Sequence, residues 1–386
     1  MADLNVLVNT RKPYNILQIL QGGKTYGGVE NFVCKYYKQL DHTRFHFDFC
    51  FCYHDSMNKM WEQGFLQDSK HHVLAENTKS NMISLYVSLL KFLKEYRYDC
   101  IHINTGNLSI QLPCLLAAKR AHVKVLIAHS HSTGSAKKSN LLKKLCLDIV
   151  RVIINKVADV RAACSEDAAK HLFGHSRNVV IIPNAIDTKE YAFKKDIKNK
   201  FRSELGIEGK TLYLQVGSFS TVKNHLFSID LFSELVKRNK NSVLLLAGEG
   251  DLEDEIKRTI KDKRLDDHVI LLGFRNDIPD LMIASDCLLL PSLWEGFPTV
   301  AIEAQAAGLK CLCSNNITKS VIITDKCKLL PLTVQSWMDE CLNIPEHNDD
   351  ACELVANKGF DIVGAAKGLA EIYDKEISLY GRKHAK

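Results

Sequence analysis

The stretch TLYLQVGSFSTVKNHLFSIDLFSELVKRNKNSVLLLAGEG, residues 211–250, decides the fold. It opens on a short apolar run, TLYLQV, and closes on another, SVLLLA. Between them, the apolar residues of KNHLFSIDLFSEL recur at the spacing of one helix face. Strands buried on both faces read as unbroken apolar runs, so a strand, a covering helix and a second such strand predict a parallel pair. The same alternation extends outward. HVILLGF, CLLLPS and KCLCSN follow downstream. NILQIL, FHFDFCFC, CIHIN, VKVLIAHS, ADVRAAC and VVIIPN precede it, separated by helical stretches such as VENFVCKYYKQL and LYVSLLKFLKEY. The rhythm pauses after Asp187, at the polar and basic TKEYAFKKDIKNKFRSELGIEGK. The expected architecture is α/β: two Rossmann-like, doubly wound parallel-sheet domains joined near residues 188–208. A length of 386 residues suits two cores rather than one.

Composition narrows the function classes. With 46% hydrophobic and 25% charged residues, the chain reads as globular. A net charge of +6 suits anionic small molecules or an acidic membrane surface and argues weakly for nucleic acid, which is not expected as a partner. The 13 cysteines are scattered, without a CxxC pair or a Cys/His cluster at zinc spacing, so buried free thiols in a reducing compartment are expected. The first residues lack an apolar signal core, and no window offers the roughly 20 uncharged apolar residues of a membrane span. A cytoplasmic protein is the resulting expectation.

In open parallel sheets ligands bind beyond the carboxyl ends of the strands, so the residues after each strand carry the chemistry. Gly28 sits where a loop turns into a helix. Its backbone suits close approach to a phosphate, and equally a plain strand-to-helix turn. GEG, ending at Gly250, lacks the third glycine of a dinucleotide fingerprint. Lys223 opens the helix of KNHLFSIDLFSEL, where a cation opposes the helix dipole; a compensating anion would explain it, and so would an ordinary surface lysine. In LWEGFPTVAIE, Pro298 fits the first helical position, and the helix is expected to stop at Gly308. Glu295 then lies in the loop before that helix and Glu303 on it. Glu303 has apolar and small neighbours, so its carboxylate needs a hydrogen-bonding partner, and a ribose diol offers two donors. The amides near Phe297 and Thr299 suit a phosphate or sugar oxygen. The plain alternative is one solvated acid and one satisfied core acid.

The whole constellation resembles glycosyltransferase family four, of the retaining GT-B type. The motif E-x7-E after LPSLWEGFP, VGxFxxxKNH and GEGDLED carry the likeness. GGVEN, FDF, IHINTGN, IAHSHS, ACSEDAAKHLFG, IIPNAID and the terminal KGFDIVGAAKGLAEIY extend it along nearly the whole chain. The nearest resemblance is to bacterial exopolysaccharide and capsule enzymes of the EpsF-like kind. It implies an acceptor-side domain over residues 1–188, with a final helix at about 370–386 packing back onto it. It also implies a nucleotide-sugar domain over 189–369, the two facing across a cleft.

By the same resemblance, Glu303 binds the ribose, Glu295 contacts the donor sugar and Lys223 neutralises the diphosphate. Gly217, Ser218, Gly250, Phe297, Pro298 and Thr299 line the donor site, Phe274 and Arg275 the base pocket, and Gly28 the diphosphate from the other domain. His131 reaches the donor sugar, with His129 as rival. Ser218 departs from the family's VGRxxxxKN, where arginine is usual, so Arg275, Lys24 or another cation would have to replace it.

The implied reaction moves a hexose-type sugar, with retention, from a UDP-sugar to a lipid-linked glycan. The departing phosphate takes the acceptor proton. Neither a metal nor a cofactor is expected besides the donor itself. A catalytically weak subunit supporting a partner glycosyltransferase is the alternative. A nicotinamide-dependent oxidoreductase is a further rival, without the GxGxxG and following acid it would need. Residues 135–159 mix lysines with helically spaced Leu, Ile and Val, compatible with peripheral membrane contact or with ordinary packing on a sheet.

Overall fold

The structure is a computed structural model that describes residues 12–22, 28–53, 69–74, 81–133, 141–345 and 350–384. These form two compact units, one running to Ile182 and resuming at Ala366, the other Pro183–Ala365.

The first unit is built on strands β1 (Tyr14–Leu20), β2 (Phe45–Phe51), β3 (His71–Val73), β4 (Cys100–Asn104), β5 (Val125–Ser130), β6 (Val160–Ala163) and β7 (Val180–Ile181). They pair in parallel in the order β3-β2-β1-β4-β5-β6-β7. Helices α1 (Gly28–Gln39), α2 (Met82–Glu95), α3 (Leu108–Arg120), α4 (Leu141–Val157) and α5 (Glu166–Phe173) link the strands. The unbroken apolar runs are explained by burial: Ile16, Leu17, Ile19 and Leu20 of β1 are all fully enclosed. Helix ends follow local chemistry. Asn81 accepts from the Ser84 amide to cap α2, and Ser165 caps α5 through the Ala168 amide, with Gly174 left-handed at its end.

The second unit repeats the plan. Its strands are β8 (Thr211–Val216), β9 (Ser242–Ala247), β10 (Val269–Gly273), β11 (Cys287–Leu290), β12 (Lys310–Ser314) and β13 (Cys327–Leu330), in the order β10-β9-β8-β11-β12-β13 and parallel throughout. The helices are α6 (Lys195–Glu204), α7 (His225–Arg238), α8 (Glu253–Asp262), α9 (Ile278–Ala284), α10 (Thr299–Ala306), α11 (Val334–Leu342), α12 (Ala351–Val355) and α13 (Ile362–His384), the last continuing into the first unit. Its core centres on Tyr213, Phe219, Phe232 and Trp337. The two buried polar tips in that group are satisfied: Tyr213 donates to the Cys341 carbonyl and Trp337 to that of Pro331.

In each sheet the chain steps one way from the first strand and then returns to its other side. The reversal lies between β1 and β4, and between β8 and β11, and such switch points are where doubly wound sheets bind ligands.

The division between units falls at Ile182/Pro183 and Ala365/Ala366, earlier than the expected 188/189 and 369/370. The reason is local. Ile186 bridges to Asp361 in parallel, and Thr188 Oγ1 donates to Asp361 Oδ1 at 3.0 Å, which ties residues 183–188 to the second unit. The stretch read as a linker is also structured. Arg202 and Lys198 of α6 both pair with Asp286, just before β11. Burial opposes the charge on Asp286, but the Leu212 amide and these two cations outweigh it and lower its pKa.

All 13 cysteines are free thiols, and most are buried. No helix among the described residues is long and apolar enough to cross a membrane.

Candidate active site

Two loops meet at the β8/β11 switch point. After β8 the chain makes a 3-10 turn, Thr221–Lys223, and Asn224 turns left-handed at φ 55° before α7 begins at His225. Lys223 therefore precedes the helix rather than opening it, so the sequence argument from an opposed helix dipole does not hold. What fixes Lys223 is the neighbouring loop. Asn224 Nδ2 donates to the Pro291 carbonyl at 3.1 Å, and the Leu293 amide to that of Val222 at 2.8 Å. Gln215 Nε2 holds the Lys223 carbonyl at 2.8 Å. The side chain of Lys223 then reaches Glu295, Nζ to Oε1 2.6 Å, and Ser292 Oγ donates to the same oxygen at 2.8 Å. Both charged groups are largely enclosed, at 21% and 15% side-chain exposure.

Three glycines let the turns after β8 and β9 touch. A Cβ on Gly248 would lie 2.0 Å from the Gly217 carbonyl oxygen, and one on Gly250 would lie 2.5 Å from that of Phe219. Both have positive φ. The Lys223 stem crosses over Gly217, within 3.1 Å of where its Cβ would be. GEG thus serves a backbone-to-backbone contact. Ser218, in the place of the family's arginine, pairs its hydroxyl with that of Ser220 at 3.2 Å.

Helix α10 presents Glu303. Pro298 stands just before the helix as its cap residue, with ψ 106°, rather than at the first helical position, because extended ψ delays the helix by one residue. Gly308, φ 76°, lies just beyond the helix end. Phe297 is buried and stacks on Phe360 at 5.9 Å, while its carbonyl accepts from Asn184. Thr299 begins α10.

Glu303 hydrogen-bonds Tyr191, whose burial and the carboxylate beside it raise the phenol pKa. Both line a cleft of about 530 Å³ with Glu190, Lys194, Val216 and residues 276–280. This cleft belongs wholly to the second unit. Its far wall begins immediately after Phe274 and Arg275. Arg275 pairs with Asp277 and lies over the Phe201 ring at 5.8 Å, and Phe274 is 44% exposed.

In the first unit Gly28 begins α1, and no atom of the other described residues lies within 4 Å of where its Cβ would be. Lys24 lies outside the described residues. His129 is wholly buried in β5, whereas His131, just past the strand, is only partly covered. Burial pushes the pKa of His131 and of His102 in β4 down to about 3, and that of His129 well down. All three rings are neutral near pH 7.

Tyr191 and Lys194 escaped the sequence reading because they sit in the stretch taken for a linker. The signal available was Asp187, whose carboxylate caps the turn Thr188–Tyr191.

These two sheets have the strand order and parallel pairing of a GT-B fold. Comparison with known structures agrees. The crystal structure of Anabaena HepE in complex with UDP aligns with a TM-score of 0.73 at 19% identity, covering 94% of this chain and 100% of that one. Sucrose-phosphate synthase of Thermosynechococcus elongatus aligns with a TM-score of 0.71 at 17% identity, covering 95% and 100%. Residues 26–190 match Glycosyltransferase Family 4, and residues 196–330 match Glycosyl transferases group 1. EpsF of Bacillus subtilis (strain 168), a glycosyltransferase by name, is 31% identical over 79% of this chain and 80% of its own length. The Escherichia coli UDP-Gal:alpha-D-GlcNAc-diphosphoundecaprenol alpha-1,3-galactosyltransferase is 28% identical over 74% and 78%. The chain belongs to the glycosyltransferase family defined by these paired domains.

Proposed function

We propose that this glycosyltransferase moves a hexose-type sugar, with retention, from a UDP-sugar to a lipid-linked glycan, with neither a metal nor a further cofactor. One observation carries the reading. Lys223 and Glu295, from two different strand ends, meet at the switch point of the sheet whose cleft also displays Glu303. The UDP and lipid-diphosphate chemistry named for the similar proteins supports the choice of donor and acceptor.

In this reading Glu303, held by Tyr191, accepts from both ribose hydroxyls, and Glu295 orients the sugar. The bond from the anomeric carbon to the phosphate oxygen breaks, and its electron pair leaves with the diphosphate. Lys223 stabilises that charge from a fixed position, so little reorganisation is needed. The acceptor oxygen bonds the same face of the anomeric carbon, and its proton passes to the departing phosphate. Gly28 approaches the diphosphate, and His131 meets the donor sugar.

Helix α4 supports membrane contact. Leu145, Ile149 and Val152 follow one another at helical spacing and are 57%, 53% and 67% exposed, with the lysines Lys144 and Lys156 also exposed. Work at the cytoplasmic face of a membrane fits this stripe and the reduced thiols. The preceding part of the basic segment, residues 134–140, lies outside the described residues.

The test is UDP release from a UDP-hexose by the isolated chain, with the product's anomeric configuration read by NMR and the assay repeated in chelator. Slow release without acceptor, a retained anomer and indifference to chelator are expected. No release from any UDP-, GDP- or dTDP-sugar would contradict the proposal and favour the weak-subunit alternative.

A further inference from the structure

A string of buried polar groups runs through the centre of the first unit, at its β1/β4 switch point. Asn104, the last residue of β4, donates from Nδ2 to the His102 carbonyl at 3.1 Å and to Gln18 Oε1 at 2.8 Å. Gln18 Nε2 donates to the Tyr373 hydroxyl of α13 at 3.1 Å. That hydroxyl lies 2.7 Å from His102 Nδ1, and His102 Nε2 lies 3.0 Å from His129 Nδ1. From its other side, Asn104 Oδ1 lies 3.2 Å from His131 Nε2.

Every proton in this string is decided by one group. A peptide carbonyl only accepts, so the Asn104 atom facing the His102 carbonyl must be the NH2. Its oxygen then faces His131, whose Nε2 must donate. Gln18 must present its oxygen to Asn104 and its NH2 to Tyr373. The phenol proton has no other acceptor than His102 Nδ1 among the described residues, so the phenol donates there. His102 must donate from Nε2 to His129 Nδ1, which leaves the His129 proton on Nε2. That buried atom has no hydrogen-bond partner among the described residues, and the string ends against the Phe32 ring, 5.1 Å away and edge-on. The rings are neutral through burial, so each carries a single proton whose position matters.

We propose that Asn104 is a positioning residue for the sugar-transfer reaction: it holds His131 in the Nε2–H tautomer, leaving Nδ1 as the acceptor. The His102 carbonyl and Gln18 Oε1, both acceptors, hold the Asn104 amide so that it cannot flip. This deepens the proposed function and rests on it only where His131 is said to meet the donor. A ring held this way accepts a hydrogen bond at Nδ1 from a sugar hydroxyl and donates none from that atom. Asn104 and Tyr373 come from opposite ends of the chain's numbering, so the device also ties α13 to the site.

Long-range 1H–15N correlation on the full chain, labelled at histidine and free of substrate, reads the tautomers directly. The Nε2–H pattern is expected for His131, His102 and His129. Tyr373→Phe should release His102 and leave His131 unchanged. Asn104→Leu should release His131 and lower kcat by about tenfold to a hundredfold with KM little altered. An unchanged far-ultraviolet circular dichroism spectrum for Asn104→Leu separates lost positioning from a lost fold. A His131 signal of the Nδ1–H type in the unmodified protein would overturn the inference, and so would an Nε2–H signal that survives Asn104→Leu. Because the spectrum needs no donor, its failure is distinct from failure of the UDP-release assay.

Discussion

Lys223 and Glu295 are 72 residues apart in sequence and form a 2.6 Å ion pair at the reversal point of the second sheet. Two loops zipped by backbone hydrogen bonds present them, so neither side chain must find its place when substrate arrives.

Lys223→Ala should therefore remove a fixed charge where the diphosphate departs. We expect kcat for UDP release to fall about 100- to 1,000-fold, the loss seen when one donor to a developing oxyanion is deleted. Lys223→Arg should restore little, since a planar fork does not replace a compact ammonium packed over Gly217. Steady-state kinetics with a UDP-hexose checks both.

The cleft predicts a graded set of binding defects. Tyr191→Phe removes the hydroxyl that holds Glu303 and should weaken UDP binding by only a few-fold, because that bond is made in the free protein as well. Lys194→Ala should have a similarly modest effect, about 0.5–1 kcal/mol, as for a partly solvated ion pair. Calorimetric titration with UDP reads these differences.

Gly248→Ala should destabilise the second unit by about 3 kcal/mol, because its methyl group would collide with the Gly217 carbonyl in a backbone conformation that alanine resists. Urea denaturation followed by tryptophan fluorescence checks this; Trp337 lies in that unit's core.

Acid should unfold the protein early. Burial holds His102 and His131 at about 3 and His225 at about 4, and keeps His129 low as well. Above pH 6.5 these rings are neutral whether folded or not, and contribute no pH dependence. As pH falls below about 6.5 the unfolded chain binds protons that the folded chain refuses, so stability is lost progressively down to those folded values. Each histidine adds about 1.4 kcal/mol per pH unit to the slope. Denaturation midpoints between pH 7.5 and 5 measure it, and His225→Phe should flatten the curve.

Much of this was legible in the residues. The continuous apolar strands gave both parallel sheets, because burial on two faces leaves no alternation to misread. Glu295 before its helix and Glu303 on it also followed from Pro298 and Gly308. Boundaries were harder. Pro298 and Lys223 each stand one or two residues outside the helix they were assigned to, since ψ at Pro298 and the left-handed Asn224 are set by neighbouring loops. Tyr191 and Lys194 hid in a polar stretch whose order depends on Asp286 and Asp361, far along the chain. The string from His131 to Tyr373 could not be read at all, because only the folded sheet brings residues 18, 104 and 373 together.

The central claim is that the second unit's cleft holds a UDP-sugar by Glu303. Thermal stability with and without a UDP-sugar, compared between the native chain and Glu303→Ala, tests it most directly. The account predicts that ligand at about 100 times its dissociation constant stabilises the native protein by about 2.7 kcal/mol, and that the shift is largely lost in the variant. An equal shift in both, or none in either, would contradict it.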